Sequence, residues 1–202
     1  MAKLYFRYGA MNSGKSTALL QAVYNYHEQG RQVLLLKPAV DTKGDNRVVS
    51  RLGVTRPADL LVGADDSIRA LVAPYLLAAD YSAIFVDEAQ FLTRAQVDEL
   101  MEVVVAHNLP VLAYGLRTDF QAVPFPGAQR LLEIAHSLEE LKTICRCGKK
   151  AIYNSRKING IRVFDGEQVA IDGQETTYES LCAECYFQER DAAQERAPMI
   201  LF

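Results

Sequence analysis

Short apolar runs alternate with amphipathic stretches along the first two-thirds of the chain. The apolar runs are bounded by turn residues and predict buried strands at residues 4–8, 33–36, 83–86 and 111–114. Helical periodicity predicts helices at residues 16–27, 93–107 and 129–135. The second helix begins with the capping-box pair Thr93 and Gln96. Because each parallel strand needs a return crossover over the face of the sheet, this alternation predicts an α/β fold: a parallel sheet flanked by helices.

The pattern changes at about Thr143, where close cysteine pairs and β-rich sequence begin. Asp165-Gly166 and Asp172-Gly173 predict tight turns between short strands, since these residues adopt positive φ at little cost. This part is predicted to form a small ribbon that does not continue the sheet. We therefore expect three parts, a main domain, a small C-terminal ribbon domain and a tail, over residues 1–142, 143–190 and 191–202.

Two segments lack a regular pattern. The stretch 41–56 is polar and contains Gly44 and Gly53, so it is predicted to be a mobile loop. Residues 188–202 are charged and then apolar, and no secondary structure is predicted for them.

Composition narrows the class of protein. The chain has 202 residues, half of them apolar, which is enough for one core and a small satellite. The net charge of −3 provides no basic field of the kind that holds a nucleic-acid backbone, so no nucleic-acid partner is expected. The sequence has no apolar run of membrane-spanning length and no leader pattern at its start. A soluble, cytoplasmic protein without a membrane partner is expected.

A phosphate-binding loop is predicted between the first strand and the first helix. Residues 9–16 fit the pattern of glycine, four residues, glycine, lysine and serine or threonine, in which backbone N–H groups surround phosphate oxygens. Lys15 would reach the β- and γ-phosphates of ATP, and Ser16 would ligate Mg²⁺. The alternative is a glycine-rich turn with a solvated lysine. The predicted ATP-binding residues are Gly9, Ala10, Met11, Asn12, Ser13, Gly14, Lys15, Ser16 and Thr17.

Two carboxylates follow the third predicted strand. Asp87 stands where P-loop folds keep a second contact to the metal ion, and it is the candidate for that role beside Ser16. Glu88 is the candidate general base, because a carboxylate beside the phosphates can accept the proton of an attacking hydroxyl. The alternative is that both residues only cap the following helix.

Four cysteines occur as two close pairs and predict a metal site. Thiolates at such spacing form tetrahedral Zn²⁺ sites, and four of them leave no open coordination position, so the metal would be structural. Only one residue separates the first pair, and four free thiols are the alternative. The predicted ligands are Cys145, Cys147, Cys182 and Cys185.

Together these features resemble the type II thymidine kinase family. The P-loop, the sequence Asp87-Glu88-Ala89-Gln90-Phe91, the run 114–120 (Tyr-Gly-Leu-Arg-Thr-Asp-Phe) and the cysteine ribbon occur in one order, and the likeness extends from Leu4 to about Phe187. The resemblance implies a RecA-like P-loop domain and a zinc-stabilised lasso domain that closes over thymidine. It also implies transfer of the ATP γ-phosphoryl group, in nucleotide salvage, to the 5′-hydroxyl of thymidine to give dTMP, or to that of deoxyuridine. Feedback inhibition by dTTP and a homotetramer are expected from the same resemblance.

The resemblance also assigns residues to the nucleoside. Glu88 is similar to the base that deprotonates the 5′-hydroxyl, and the stretch 169–178 matches the lasso backbone that holds the thymine ring. Lys43 replaces the arginine of the usual Asp-Thr-Arg sequence and is not assigned to phosphate, because it lacks the planar fork of a guanidinium. The residues expected at the nucleoside are Asp41, Gln90, Phe91, Leu116, Phe120, Phe125, Asn154, Val169, Ile171 and Tyr178.

Other functions fit part of the pattern. The sequence 87–90 is also typical of the second nucleotide box of a nucleic-acid-dependent ATPase, but such motors usually need two RecA-like lobes. A zinc-ribbon adaptor that binds nucleotide without catalysis is another alternative. Within the kinase class, deoxyuridine or deoxycytidine could be the preferred acceptor, since base recognition through backbone groups leaves few side chains to interpret.

Overall fold

The structure is a computed structural model that describes residues 1–42, 44–168 and 175–196. Contacts divide the chain into two compact units. The first unit contains Met1–Tyr8, Gly14–Arg117 and Phe125–Leu141. The second contains Gly9–Ser13, Thr118–Pro124 and the described residues from Lys142 onward. The segment Gly9–Ser13, between the first strand and the first helix, therefore makes most of its contacts within the second unit.

The first unit alternates strands and helices in the predicted manner. In chain order its elements are β1 Leu4–Tyr8, α1 Lys15–Glu28, β2 Gln32–Pro38, β3 Arg47–Val49, β4 Thr55–Pro57, β5 Leu60–Val62, α2 Ile68–Ala78, β6 Tyr81–Val86, a 3-10 turn Ala89–Phe91, α3 Arg94–His107, β7 Val111–Gly115, α4 Pro126–Ile134 and β8 Ser137–Glu140.

Six of these strands form one sheet in the order β5-β2-β6-β7-β1-β8, and every pairing is parallel. The predicted parallel α/β fold is thereby confirmed. Tyr8 of β1 pairs with Gly115 of β7, and Val86 of β6 pairs with Ala113 of the same strand. The carboxyl ends of these neighbouring strands therefore lie at one edge of the sheet, which is where open α/β sheets bind ligands.

The core of the first unit forms between α1 and the sheet. One face of α1 contributes Leu19, Leu20 and Val23, which pack in one buried cluster with strand residues such as Leu35 and Phe85. Burying a side chain of this size contributes about 1.5–3 kcal/mol. This packing fixes the start of α1 beside the ends of the strands.

The structure corrects several predictions in the first unit. The stretch 41–56, predicted to be a loop, contains β3 and its antiparallel partner β4 in part. The helix predicted at residues 129–135 begins earlier, at Pro126, because proline favours the first helical position. The helix α2 was not predicted, since it is apolar nearly throughout and contains Pro74. The capping box of α3 is confirmed: Thr93 and Gln96 each bond the backbone of the other.

The second unit is built from short antiparallel strands and one helix. Its elements are β9 Thr143–Ile144, β10 Lys150–Ala151, β11 Tyr153–Ile158, β12 Ile161–Val163, β13 Thr176–Leu181 and α5 Ala183–Arg196. The central strand β11 pairs with β12 and β13, and β9 pairs with β10. The ribbon is thus separate from the six-stranded sheet, as predicted.

The turns and the helix of the second unit differ in part from the sequence predictions. Asn159-Gly160 connects β11 and β12 with φ of 49° and 78°, a hairpin turn that the sequence contained but the prediction missed. Gly166 has φ of 116° and lies in a bend as expected, whereas Asp172-Gly173 lies outside the described residues. The helix α5 covers part of the stretch 188–202 for which no structure was predicted, because its charged sequence has no apolar stripe. Among the residues that the structure describes, no helix has the length and apolarity to cross a membrane.

Candidate active site and metal site

The loop before α1 has the backbone of a phosphate-binding loop. Asn12 and Gly14 have φ of 65° and 80°, and Gly14 is the N-cap of α1 without any side-chain hydrogen bond to the first turn. The first N–H groups of a helix lack intrahelical partners, and the helix dipole favours an anion beside them. Lys15 is the first residue of α1 and is buried. This end of α1 is therefore suited to bind phosphate groups.

Ser13 provides a test of whether phosphate fits this loop. Its hydroxyl oxygen is buried and has no hydrogen-bond partner within the part of the chain that the structure describes. Such atoms are rare in folded proteins, where buried polar groups are almost always paired. A phosphate oxygen would accept this hydroxyl, so the loop fits the triphosphate group of ATP.

Met11, in the same loop, is bonded to the ribbon strands within the second unit. Its N–H donates to Oδ1 of Asn154 over 2.8 Å, and its carbonyl accepts the hydroxyl of Ser180. Asn154 also donates from Nδ2 to the carbonyl of Thr118 over 2.8 Å. Both polar ends of the Asn154 side chain are thus bonded to backbone groups, and its contact with the thymine base stays a prediction.

Asp87 and Ser16 meet within the first unit, as the two predicted metal-side residues must. The Ser16 hydroxyl donates to Oδ1 of Asp87 over 3.4 Å. Asp87 follows β6 and is buried, and its N–H donates to the carbonyl of Leu36 over 3.0 Å. Burial raises the pKa of the Asp87 carboxyl group to about 7, and the negative charge of Glu88 adds to the rise. A buried carboxylate of this kind favours a nearby cation, so the pair fits Mg²⁺.

Glu88 is held in a backbone conformation that is rare for its type. Its φ and ψ are 46° and 40°, in the left-handed region that residues with a Cβ seldom adopt. Such strain persists where the surroundings fix it, often at functional sites. The side chain of Gln90 donates from Nε2 to Oε2 of Glu88 over 2.7 Å. The half-buried carboxylate therefore has a set orientation.

Gln90 is itself fixed from the other side. Its Oε1 accepts the N–H of Leu116 over 3.0 Å, and the residue is fully buried. A Cβ added at Gly115 would lie 2.7 Å from this oxygen, so the neighbouring strand end must carry glycine. Sequence reasoning assigned Gln90 to the nucleoside and missed its hydrogen bond to Glu88.

Three of the predicted apolar residues, Phe91, Leu116 and Phe125, belong to the first unit and contact either one another or Gln90. The rings of Phe91 and Phe125 meet edge to face with centroids 5.4 Å apart, and Leu116 is bonded to Gln90 next to Phe91. Asp41 forms an ion pair of 3.1 Å with Lys37, a fully buried lysine at the end of β2 that sequence reasoning missed. A lysine directly after three consecutive leucines was the available indication.

Phe120 and Tyr178 lie in the second unit. The guanidinium carbon of Arg156 is 3.6 Å from the centroid of the Phe120 ring, and the hydroxyl of Tyr186 donates to the Phe120 carbonyl over 2.7 Å. Tyr178 is half-buried and pairs in register with Arg156. Arg156 and Tyr186 were not predicted at the site. Two of the residues assigned to the nucleoside, Val169 and Ile171, lie outside the described residues.

The four cysteines converge as predicted. Their sulfur atoms all lie within 4.8 Å of one another, and Sγ of Cys147 is 3.5 Å from Sγ of Cys182. A tetrahedral zinc site with Zn–S bonds of about 2.3 Å places its sulfurs about 3.8 Å apart. The distances thus fit a metal ion and are too long for disulfide bonds.

Backbone geometry forms the first cysteine turn. Gly148 has φ of 85°, and its N–H donates to the carbonyl of Cys145 over 2.8 Å. Burial alone would raise the pKa of the Cys145 thiol, but backbone hydrogen bonds from Cys147 and Cys182 outweigh it and lower that pKa to about 6. The thiolate form is therefore favoured at Cys145, whereas the side-chain hydrogen bond with Cys147 and burial raise the pKa of Cys185 to about 12. The donor set and its geometry fit structural Zn²⁺.

A parallel sheet, a phosphate loop before its first helix and a serine–aspartate pair beside it define a P-loop nucleotide-binding protein with an added cysteine metal site. A sequence model of the family described as thymidine kinase matches residues 2–186. The chain therefore belongs to the thymidine kinase family and is an ATP-dependent enzyme of that family. The family resemblance inferred from the motifs is confirmed.

Curated relatives agree with this family. The thymidine kinase of Legionella pneumophila (strain Paris) is 50% identical over 184 residues, which cover 90% of this chain and 88% of the relative. That of Ruegeria pomeroyi is 48% identical, with 90% and 92% covered. That of Enterobacteria phage T4 is 47% identical, with 90% and 94% covered. The likeness thus spans nearly the whole of each chain.

Proposed function

We propose that this protein transfers the γ-phosphoryl group of ATP to the 5′-hydroxyl of thymidine, or of deoxyuridine, with Glu88 as the general base. The main support is the 2.7 Å hydrogen bond from Gln90 to Glu88, which orients the Glu88 carboxylate. Glu88 directly follows Asp87 at the end of β6. A general base must be oriented toward the proton that it accepts. Membership in the thymidine kinase family supports ATP and thymidine as the substrates.

The chemical step requires positioning and charge neutralisation. The 5′-oxygen forms a bond to the γ-phosphorus, its proton passes to the Glu88 carboxylate, and the bond from the γ-phosphorus to the bridging oxygen breaks to leave ADP. The predicted loop residues 9–17 bind the phosphates, with Lys15 at the β- and γ-phosphates and Ser16 and Asp87 at Mg²⁺. When bound, Mg²⁺ neutralises charge on the transferring group.

The nucleoside assignments are proposals of the same kind. In the first unit they comprise Asp41, Gln90, Phe91, Leu116 and Phe125. Apolar walls of this type exclude water, which would otherwise hydrolyse ATP. The remaining assignments are Phe120, Asn154 and Tyr178, with Val169 and Ile171 beyond the described residues.

We propose that different segments of the chain have different functions. We assign ATP binding and phosphoryl transfer to residues 1–142, the zinc-stabilised lasso to residues 143–190 and a tail to residues 191–202. The four cysteines would hold one structural Zn²⁺ per chain. Feedback inhibition by dTTP, a homotetramer and a role in nucleotide salvage complete the proposal and rest on the family resemblance.

Labelled ATP tests this function directly. The protein is incubated with γ-labelled ATP, Mg²⁺ and a panel of nucleosides, and the labelled monophosphate is identified; labelled dTMP is expected. Glu88→Gln should bind ATP and thymidine with little change and lose most of the turnover. Glu102→Gln is a matched control, because Glu102 is an exposed helix residue paired with Arg69. Near-normal turnover of Glu88→Gln would remove Glu88 from the role.

A further inference from the structure

Two side chains of the ribbon form hydrogen bonds to the backbone of one residue in the phosphate loop. Asn154 of β11 and Ser180 of β13 are direct partners across the two strands. Asn154 accepts the N–H of Met11 over 2.8 Å, and the Ser180 hydroxyl donates to the carbonyl of Met11. Met11 is thus bonded through both of its backbone polar groups by residues 143 and 169 positions away.

Both side chains are buried and bonded in a way that fixes their orientation. Asn154 and Ser180 are 2% and 6% exposed. The Nδ2 group of Asn154 donates to the Thr118 carbonyl, so the amide has a donor partner and an acceptor partner that fit only one orientation. Removing either side chain would leave a polar group of Met11 unpaired. The two contacts are therefore built into the packing of the second unit.

Met11 lies at the turn that shapes the loop. The Ser13 N–H donates to the Ala10 carbonyl over 3.3 Å, so Met11 and Asn12 are the central residues of a four-residue turn. Only the second of them, Asn12, has a positive φ, which is the type II pattern. Types I and II differ in the orientation of the peptide between the two central residues. In that planar trans peptide the Met11 carbonyl and the Asn12 N–H point in opposite directions.

The Ser180 hydrogen bond therefore also orients the Asn12 N–H, which points away from Ser180. We propose that Asn154 and Ser180 are positioning residues for ATP: by fixing two successive peptides at Met11, they hold the phosphate loop in its nucleotide-binding conformation. Ser180 lies on β13, two residues before the predicted zinc ligand Cys182. The strand that leads to the metal site therefore also contacts the phosphate loop. This inference rests on the proposed function of residues 9–17 in binding the phosphates of ATP.

The test is the affinity for ATP with Mg²⁺, measured by calorimetry without nucleoside, beside the KM values for both substrates. Asn154→Ala and Ser180→Ala should each weaken ATP binding about tenfold, which corresponds to about 1.4 kcal/mol. In Ser180→Ala, whose side chain is not assigned to the nucleoside, the KM for thymidine should change less than about threefold, a difference of about 0.6 kcal/mol. Ser180→Thr keeps the hydroxyl and should bind ATP close to the wild-type affinity. Asn159→Gly is the matched control, since Asn159 is an exposed amide at the tip of the same ribbon with φ of 49°.

Each other result decides against the proposal. A raised KM for thymidine with unchanged ATP affinity would assign Asn154 to the base instead. Parallel weakening of both substrates with a lower melting temperature would show a purely structural role. Unchanged ATP affinity in both alanine variants would exclude the positioning role outright.

A further variant separates this inference from the function on which it rests. Lys15→Met should abolish ATP binding. If it binds ATP normally, the assignment of the phosphate loop itself is wrong. If Lys15→Met loses ATP while Asn154→Ala and Ser180→Ala bind it as the wild type does, only the positioning role fails.

Discussion

Gln90 donates a 2.7 Å hydrogen bond to the carboxylate of Glu88, while its own amide oxygen accepts the N–H of Leu116. The side chain thus connects the proposed base after β6 to the backbone that follows β7. Since Gln90 is fully buried, its amide cannot turn toward solvent. The orientation of Glu88 therefore depends on the relation between two neighbouring strands of the sheet.

Replacing Gln90 should lower turnover more than binding. Gln90→Met removes the donor to Glu88 and leaves the Leu116 N–H unpaired, which costs about 1–3 kcal/mol of unfolding free energy. We expect kcat to fall about tenfold to a hundredfold, in the range of general acid–base contributions. Gln96→Met is the matched control, because Gln96 is also buried and, among the described residues, its side chain bonds to Thr93 and to loop carbonyls such as that of Gly63. Equal losses of kcat in both variants, measured beside urea unfolding, would contradict the orienting role.

Gly127 should tolerate no side chain. An added Cβ would lie 2.5 Å from the Leu92 carbonyl and 2.7 Å from the Ala89 carbonyl, and backbone atoms of a packed turn move little. Gly127→Ala is expected to lower the free energy of unfolding by about 1–3 kcal/mol, as overpacking usually does. In Gly63→Ala the nearest atom is the carboxylate of Asp66, a flexible side chain, so the effect should be smaller. Urea titration of both variants measures the difference, and equal stability would refute the steric argument.

Asp87 should make the metal-free protein less stable as the pH rises. Its pKa is about 7 in the folded protein, while an unfolded aspartate titrates near about 3.9. Between these values the folded state binds the extra proton, so stability falls from about pH 4 to about pH 7 and is constant above. Asp87→Asn should remove this pH-dependent fall in stability and raise the free energy of unfolding of the metal-free protein by at most about 4 kcal/mol at pH 8. The same substitution should abolish turnover.

Urea unfolding at pH 4.5 to 8 checks the prediction for Asp87. The gain in stability of Asp87→Asn over the wild type should grow with pH. Asp65→Asn, which removes a carboxylate at an exposed position, is measured beside it as the control. A gain that does not depend on pH would mean that the Asp87 charge is not the cause.

Loss of one cysteine should release the metal and loosen the second unit alone. Three of the four cysteines belong to the buried cluster of that unit, together with Leu181 and Tyr186. Cys182→Ser should lower bound zinc from about one ion per chain to near zero, since a structural site needs all four ligands. Hydrogen exchange should rise in β11 and β13 and stay unchanged in β2 and β6. Full zinc content in the variant, measured by elemental analysis, would contradict the assignment.

Much of the candidate site could be predicted because its features are local in sequence. The phosphate loop and the close cysteine pairs follow from spacing over a few residues, and the capping box of α3 from two residues three apart. Two helices without strong periodicity were not predicted. The sequence of α2 is apolar nearly throughout and that of α5 is mostly charged or polar, so neither shows an amphipathic pattern. The β3–β4 pair was hidden in a polar stretch, where short strands have little pattern.

The sequence by itself determined the alternating order of strands and helices, the phosphate loop and the cysteine pairs, because each depends on neighbours along the chain. Only the tertiary structure decided that Gln90 bonds both the Glu88 carboxylate and the Leu116 N–H. It also decided that Asn154 and Ser180 bond both backbone polar groups of Met11. Gln90 and Leu116 are 26 residues apart, and Met11 is 143 and 169 residues from its two partners, so no local pattern predicts these contacts. These residues meet because the strand pairing brings them together and because buried polar groups must find hydrogen bonds.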